Sequence, residues 1–166
     1  MKGRVISKNL KLPALDPTTV EAKAGSNYPD HLKPRVAGRR KRRLGDALGL
    51  KNFGVNLATI KPGSASALRH WHTTEDEFIY VLSGELVLII DAGEQALTAG
   101  MAAGFPAGKA DGHCLVNRTQ VDAVYLEVGD RASDDVVSYP DDDLEARATA
   151  SGRKFLRKDG TPYPKP

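Results

Sequence analysis

The stretch from Gly63 to Gly84, GSASALRHWHTTEDEFIYVLSG, decides how this chain is read. It holds two histidines one residue apart, His70 and His72, then the carboxylates Glu75, Asp76 and Glu77, and it closes on Gly84. A third histidine, His113, lies downstream in GMAAGFPAGKADGHCLVN, residues 100–117. Three imidazoles and one carboxylate on short strands can enclose a metal ion and leave room for a substrate.

Alternation along a strand puts His70 and His72 on one face and Trp71 on the other. Spacing alone allows either Glu75 or Glu77 to complete the set. Glu77 is preferred because it opens the apolar run FIYVL and so belongs to a barrel wall, whereas Glu75 is expected in the turn, exposed or near the entrance. Cys114 is expected to be a small buried residue and Asn117 a turn support. The donor set contains no thiolate, which argues against a closed structural zinc site. It suits one divalent transition metal: Zn, Mn, Fe, Ni or Co.

Around this stretch, strand signals arrive close together with Gly or Pro punctuation. Asn52–Ile60, Ala67–His72, Glu77–Leu82, Glu85–Ile90, Glu94–Leu97, Gly100–Phe105, Gly112–Asn117 and Ala123–Val128 each read as short strands. Helical periodicity is nearly absent, which argues for an all-β antiparallel barrel or jelly roll. Residues 1–45 read as an irregular N-terminal arm with a strand near Arg4–Ser7, 46–130 as the barrel, and 131–166 as a C-terminal tail with a short helix at Asp142–Ala148.

The chain has 166 residues, 40% hydrophobic and 27% charged, which suits one globular domain with extensions. No apolar run approaches the roughly 20 residues needed to span a bilayer. One cysteine excludes an internal disulfide framework, and with no apolar leader a cytoplasmic location is expected. The net charge is +3, and Lys33–Arg43 (KPRVAGRRKRR) carries seven basic residues with no acidic one. No aromatic residue and no nucleic-acid-binding motif accompanies that run, so a surface or subunit contact is favoured over nucleic-acid binding, with an anion-attracting role near the site left open.

These residues resemble the cupin superfamily. Its first motif, G-x5-H-x-H-x3/4-E-x6-G, is matched by Gly63, His70, His72, Glu77 and Gly84, with one extra residue before His70. Its second, G-x5-P-x-G-x2-H-x3-N, is matched by Gly100, Pro106, Gly108, His113 and Asn117, with two extra residues before His113. The resemblance implies a double-stranded β-helix or jelly-roll barrel, metal held by His70, His72, Glu77 and His113, and a homodimer. The basic segment before the barrel and the KDGTPY tail look like the small single-domain cupins assigned as candidate sugar-phosphate (mannose-6-phosphate) isomerases.

Three functions follow as expectations. The first is a metal-dependent isomerase on a small polar substrate, with Glu75 and Tyr80 as catalytic candidates and Arg69 and Asn56 as substrate-binding candidates. The second is an Fe(II)-dependent dioxygenase with an apolar pocket from Phe53, Phe78, Tyr80 and Phe105. The third is a non-catalytic metal or small-ligand binder.

Overall fold

The computed structural model describes residues 10–149 and 152–164, and its frame is antiparallel β-sheet. The strands are β1 (Lys23–Ala24), β2 (Arg39–Arg43), β3 (Phe53–Ile60), β4 (Trp71–His72), β5 (Glu77–Ser83), β6 (Glu85–Ile90) and β7 (Gly93–Thr98). They continue as β8 (Ala102–Phe105), β9 (Cys114–Val116), β10 (Ala123–Asp130), β11 (Val136–Tyr139), β12 (Leu144–Thr149) and β13 (Gly152–Leu156). One helical turn, α1 (Leu44–Ala47), and two 3-10 segments, Pro17–Thr19 and Asp30–Val36, complete the set.

One sheet runs β1-β2-β3-β10-β5-β8. The layer facing it has two pieces, β7-β6-β9 and β4-β11-β12-β13. Bridges between Ala65 and Val116 and between His70 and His113 join those pieces. The result is a two-layered all-β arrangement of jelly-roll type.

Period-2 patterning builds the interior. In β5, Ile79 and Val81 are buried while Phe78, Tyr80 and Leu82 face out. Ile79 and Val81 join Ala58, Ile60, Leu86, Leu88, Leu97, Leu115, Ala123 and Tyr125 in one core between the layers. Each large apolar side chain buried there contributes roughly 1.5–3 kcal/mol. A second core links arm and tail: Tyr28, Leu32 and Val36 pack on Leu68, Val137, Tyr139, Leu144 and Ala146.

The structure corrects three local expectations. Residues 144–149 form β12, not a helix. Leu-Glu-Ala-Arg favour helix in isolation, but Leu144 and Ala146 alternate into the second core and the segment pairs on both sides. The strand expected over Ala67–His72 shrinks to Trp71–His72. The basic run divides into a 3-10 segment and strand β2. The strand expected near Arg4–Ser7 lies outside the described residues. No helix among the described residues is long and apolar enough to cross a membrane.

Candidate metal centre

Four side chains from three strand ends meet between the two cores. His70 lies just before β4 and bridges to His113, which lies just before β9. His72 lies on β4, and Glu77 opens β5. Glu77 Oε2 is the common point: His113 Nε2 lies 3.0 Å from it, and His70 Nε2 and His72 Nε2 each lie 3.4 Å from it. Loop 106–112 is tied in through the Gly108 N–H, which donates to the His72 carbonyl at 2.9 Å. Asn117 pins the far end, donating to the Ile60 and Val121 carbonyls at 2.8 and 2.7 Å.

The outer ring nitrogens settle which lone pairs face the centre. His70 Nδ1 lies 2.8 Å from the Leu68 carbonyl, and His72 Nδ1 lies 2.6 Å from Asp135 Oδ2. A neutral imidazole has one N–H, so these acceptors leave Nε2 of both rings as lone-pair donors. His72 Nε2 is buried and makes no hydrogen bond. A buried polar atom left without a partner in an otherwise satisfied site fits a ligand aimed at an ion.

Electrostatics agree. Burial pushes the pKa values of His72 and His113 down, which keeps both rings neutral and able to coordinate. Burial opposes ionisation of Glu77, but the imidazoles of His113, His70 and His72 beside it outweigh that and hold its carboxyl well below the usual range. His70, Glu77 and His113 bring together donor atoms that could hold a metal ion, and His72 Nε2 faces the same Glu77 oxygen, while the outer side of His72 belongs to a second cluster with Glu75 and Asp135.

A cavity of about 530 Å³ opens onto the centre, lined in part by Asn56, Tyr125 and Glu127. Three cations of the basic run face it, Arg39, Lys41 and Arg43, because β2 alternates and turns Arg40 and Arg42 away. Lys41 Nζ binds both Glu127 oxygens at 2.7 and 2.8 Å. The Asn56 amide and the Tyr125 hydroxyl add bonds to Glu127 of 3.0 and 3.1 Å. Burial opposes the Glu127 charge, yet Lys41 and Asn56 hold its pKa below the ordinary value. A smaller cavity of about 200 Å³ touches His72 and His113 from the other side, with Trp71, Leu88, Phe105 and Lys109 in its wall.

The remaining candidates scatter. Asn56 lies in the large cavity. Glu75 is buried rather than exposed; its oxygens accept from the Ala132 N–H at 3.0 Å and Arg153 at 2.9 Å, on the Nδ1 side of His72. Its burial pushes its pKa up to about 7. Tyr80 is 40% exposed on the outer face, an odd number of residues from Glu77, with its hydroxyl near Gly100. Arg69 faces away from the cavity, held by Asp141 in two bonds of 2.6 and 2.7 Å and by Asp91. Phe53 and Phe78 are exposed, and only Phe105 of the four aromatics reaches the centre. Sequence reasoning missed Asp135, Arg153, Tyr125 and Glu127, while Lys41 lies in the basic run for which the sequence leaves an anion-attracting role open.

A Cupin domain model matches residues 56–129. A sugar phosphate isomerase from a cupin superfamily of Silicibacter pomeroyi is 46% identical, with a TM-score of 0.88 over 92% of this chain and 97% of its own. The chain belongs to the cupin superfamily. A proposed sugar phosphate isomerase of Acidithiobacillus ferrooxidans is 29% identical to this cupin, with a TM-score of 0.74 over 89% of this chain and 90% of its own. The polyketide cyclase RemF of Streptomyces resistomycificus shares the fold at 22% identity, with a TM-score of 0.59 over 70% of this chain and 78% of its own. No curated protein matches. Arg39, Lys41 and Asp135 fall outside the matched cupin segment, so arm and tail add charge to a centre built by the motifs.

Proposed function

We propose that this cupin is a metal-dependent isomerase of a small phosphorylated sugar or related polyol. The observation that carries the reading is a charged cavity wall beside the histidine cluster, in which Arg39, Lys41 and Arg43 stand among carboxylates such as Asp46 and Glu127, a lining that suits a polar, phosphate-bearing substrate better than an apolar aromatic one. The resemblance to chains described as sugar phosphate isomerases points the same way. His70, His72, Glu77 and His113 would hold the ion, a divalent transition metal. When bound, it would supply Lewis acidity to a carbonyl or hydroxyl oxygen of the substrate.

The chain supplies the rest. Lys41 and Arg43 draw the phosphate into the cavity and orient the sugar. Glu127, kept ionised by Lys41, is the carboxylate facing the substrate that takes a proton from one carbon and returns it to its neighbour. Glu75, tied down by Arg153 and Ala132, supports His72 from behind.

The test is turnover of mannose-6-phosphate, fructose-6-phosphate and a panel of related sugar phosphates by the metal-loaded protein. Glu127→Gln is expected to lose kcat by at least about 100-fold while retaining its metal. No turnover across the panel counts against the isomerase. Oxygen uptake with Fe(II) would mark a dioxygenase instead.

The working unit is proposed to be a homodimer. Phe78 and Tyr80 on β5 pair across strands with Val128 and Leu126 on β10, and exposed Leu82 continues the same face, an apolar outer face free of charged side chains at its centre. Such a face is complementary to a second copy of itself. Leu82→Glu is expected to convert a dimeric elution and light-scattering mass to a monomeric one. A wild-type monomer would remove the proposal.

A further inference from the structure

The four donors lie between residues 70 and 113, but the group that orients His72 does not. Asp135, just before β11, is fully buried, with Oδ2 2.6 Å from His72 Nδ1. Its Oδ1 accepts the Thr74 N–H at 3.2 Å, and the Thr73 and Thr74 hydroxyls lie 3.5 Å away. Arg153, carried by β13, sits 3.4 Å from Asp135 Oδ2 and 2.9 Å from Glu75 Oε2. Glu75 Oε2 in turn lies 3.4 Å from His72 Nδ1. One ligand histidine is thus backed by two carboxylates and a guanidinium drawn from three separate segments.

We infer that Asp135, with Arg153 behind it, is a positioning residue for metal binding that fixes the tautomer and aim of His72. The inference rests on the reading of His70, His72, Glu77 and His113 as a metal centre. Its logic is local. With its single N–H committed to a buried carboxylate, His72 can present only a lone pair at Nε2. A charged acceptor also raises the donor strength of the opposite nitrogen. The three histidines are unequal here: His70 leans on a neutral carbonyl, and His113 Nδ1 has no hydrogen-bond partner.

Arg153 has two consequences. It offsets the charge of the Glu75–Asp135 pair, which would otherwise repel within a buried space. It also stands where a cation would sit among His72, Glu75 and Asp135, three residues with converging donor atoms. The guanidinium takes that place, so the cluster serves the metal centre rather than forming a second one. A β-hairpin outside the matched cupin segment therefore sets the affinity of the motif-built centre.

The test measures Zn(II) affinity by competition with a chromophoric chelator, and the Co(II) absorption spectrum, for wild type, Asp135→Asn, Asp135→Ala, Arg153→Gln and His70→Ala. Asp135→Ala is expected to weaken Zn(II) binding about 10–100-fold. Asp135→Asn is expected to lose less, since an amide oxygen keeps the tautomer without the charge. Arg153→Gln loses several-fold, each brace variant shifts the Co(II) spectrum, and wild type binds one ion. Should Asp135→Ala not fold, Arg153→Gln carries the test, because its side chain is 38% exposed. Wild-type affinity and spectrum in the folded brace variants, with His70→Ala impaired, overturn the inference alone. A second ion in wild type also overturns it. No metal binding by wild type brings down the metal reading and the inference together.

Discussion

The ring of His113 lies flat on the ring of Phe105, with centroids 3.5 Å apart and planes 2° from parallel. Because His113 Nδ1 has no hydrogen-bond partner, this stacking, rather than a hydrogen bond on the far nitrogen, holds the ring toward Glu77. Phe105 is also paired in register with Glu77, so one residue of β8 braces two of the four donors. Phe105→Leu is expected to weaken Zn(II) binding by about 10-fold and to cost the metal-free protein about 1 kcal/mol. Phe105→Tyr, which keeps the stack, is expected to bind like wild type. Chelator competition and urea melts of the apo protein check both numbers. Equal affinity in Phe105→Leu would mean that the backbone bridge to His70 alone positions His113.

The convergence of His70, His72, Glu77 and His113 was legible because two local motifs carry them at fixed spacing on short strands. Glu77 over Glu75 followed from its place at the head of an apolar strand. Tyr80 could have been assigned correctly by the same rule: a strand with apolar residues on both faces hides which face is inside, but parity with Glu77 puts Tyr80 out. Asp135 and Arg153 carry no such signal. They lie 63 and 78 residues from the groups they hold, in a segment whose helix-favouring composition concealed two β-hairpins. The cavity face of Arg39, Lys41 and Arg43 required knowing that the basic run is a strand in the main sheet.

For Tyr80 the consequence is a null result at the candidate metal centre. Its hydroxyl sits by Gly100 on the outer face, away from the histidines. Tyr80→Phe is therefore expected to leave kcat, KM and metal content unchanged within error. A loss of kcat with intact metal would return Tyr80 to the catalytic set and require a different packing of β5.

The clamp around Arg69 predicts a pH dependence of stability. Asp141 has its pKa held below the ordinary value, first by its hydrogen bonds to Arg69. A carboxyl depressed in the folded state stabilises above its unfolded pKa of about 3.9 and loses that contribution as pH falls toward the folded pKa. Asp141 is half-exposed, so solvent screening limits the contribution to about 1 kcal/mol. Arg69→Met is expected to lower Tm by a few degrees at pH 7, with the gap to wild type closing as pH falls below about 4. Thermal melts from pH 7 to pH 3 check it. A gap that persists at pH 3 would assign the loss to packing of the Arg69 stem rather than to charge.

The turn joining β5 to β6 has a single residue between the strands, Gly84, with φ of +76°. A methyl group there would meet Ala123 Cα at 2.9 Å and the Asp122 carbonyl at 3.0 Å, both backbone atoms at the head of β10. Gly63 has nearly the same φ, +75°, but nothing within 4 Å of a built Cβ. The pair separates two costs. Gly63→Ala pays only for the left-handed backbone, about 1 kcal/mol. Gly84→Ala adds the displacement of β10 and is expected to cost about 3 kcal/mol. Urea unfolding should show both as shifts in Cm at constant m. Because β10 carries Glu127 and Tyr125 into the cavity, Gly84→Ala should also raise KM for a substrate, while Gly63→Ala should not. Equal losses of stability in the two variants would show that the turn and β10 yield freely, and that the close approach of Gly84 to Ala123 does not constrain the barrel.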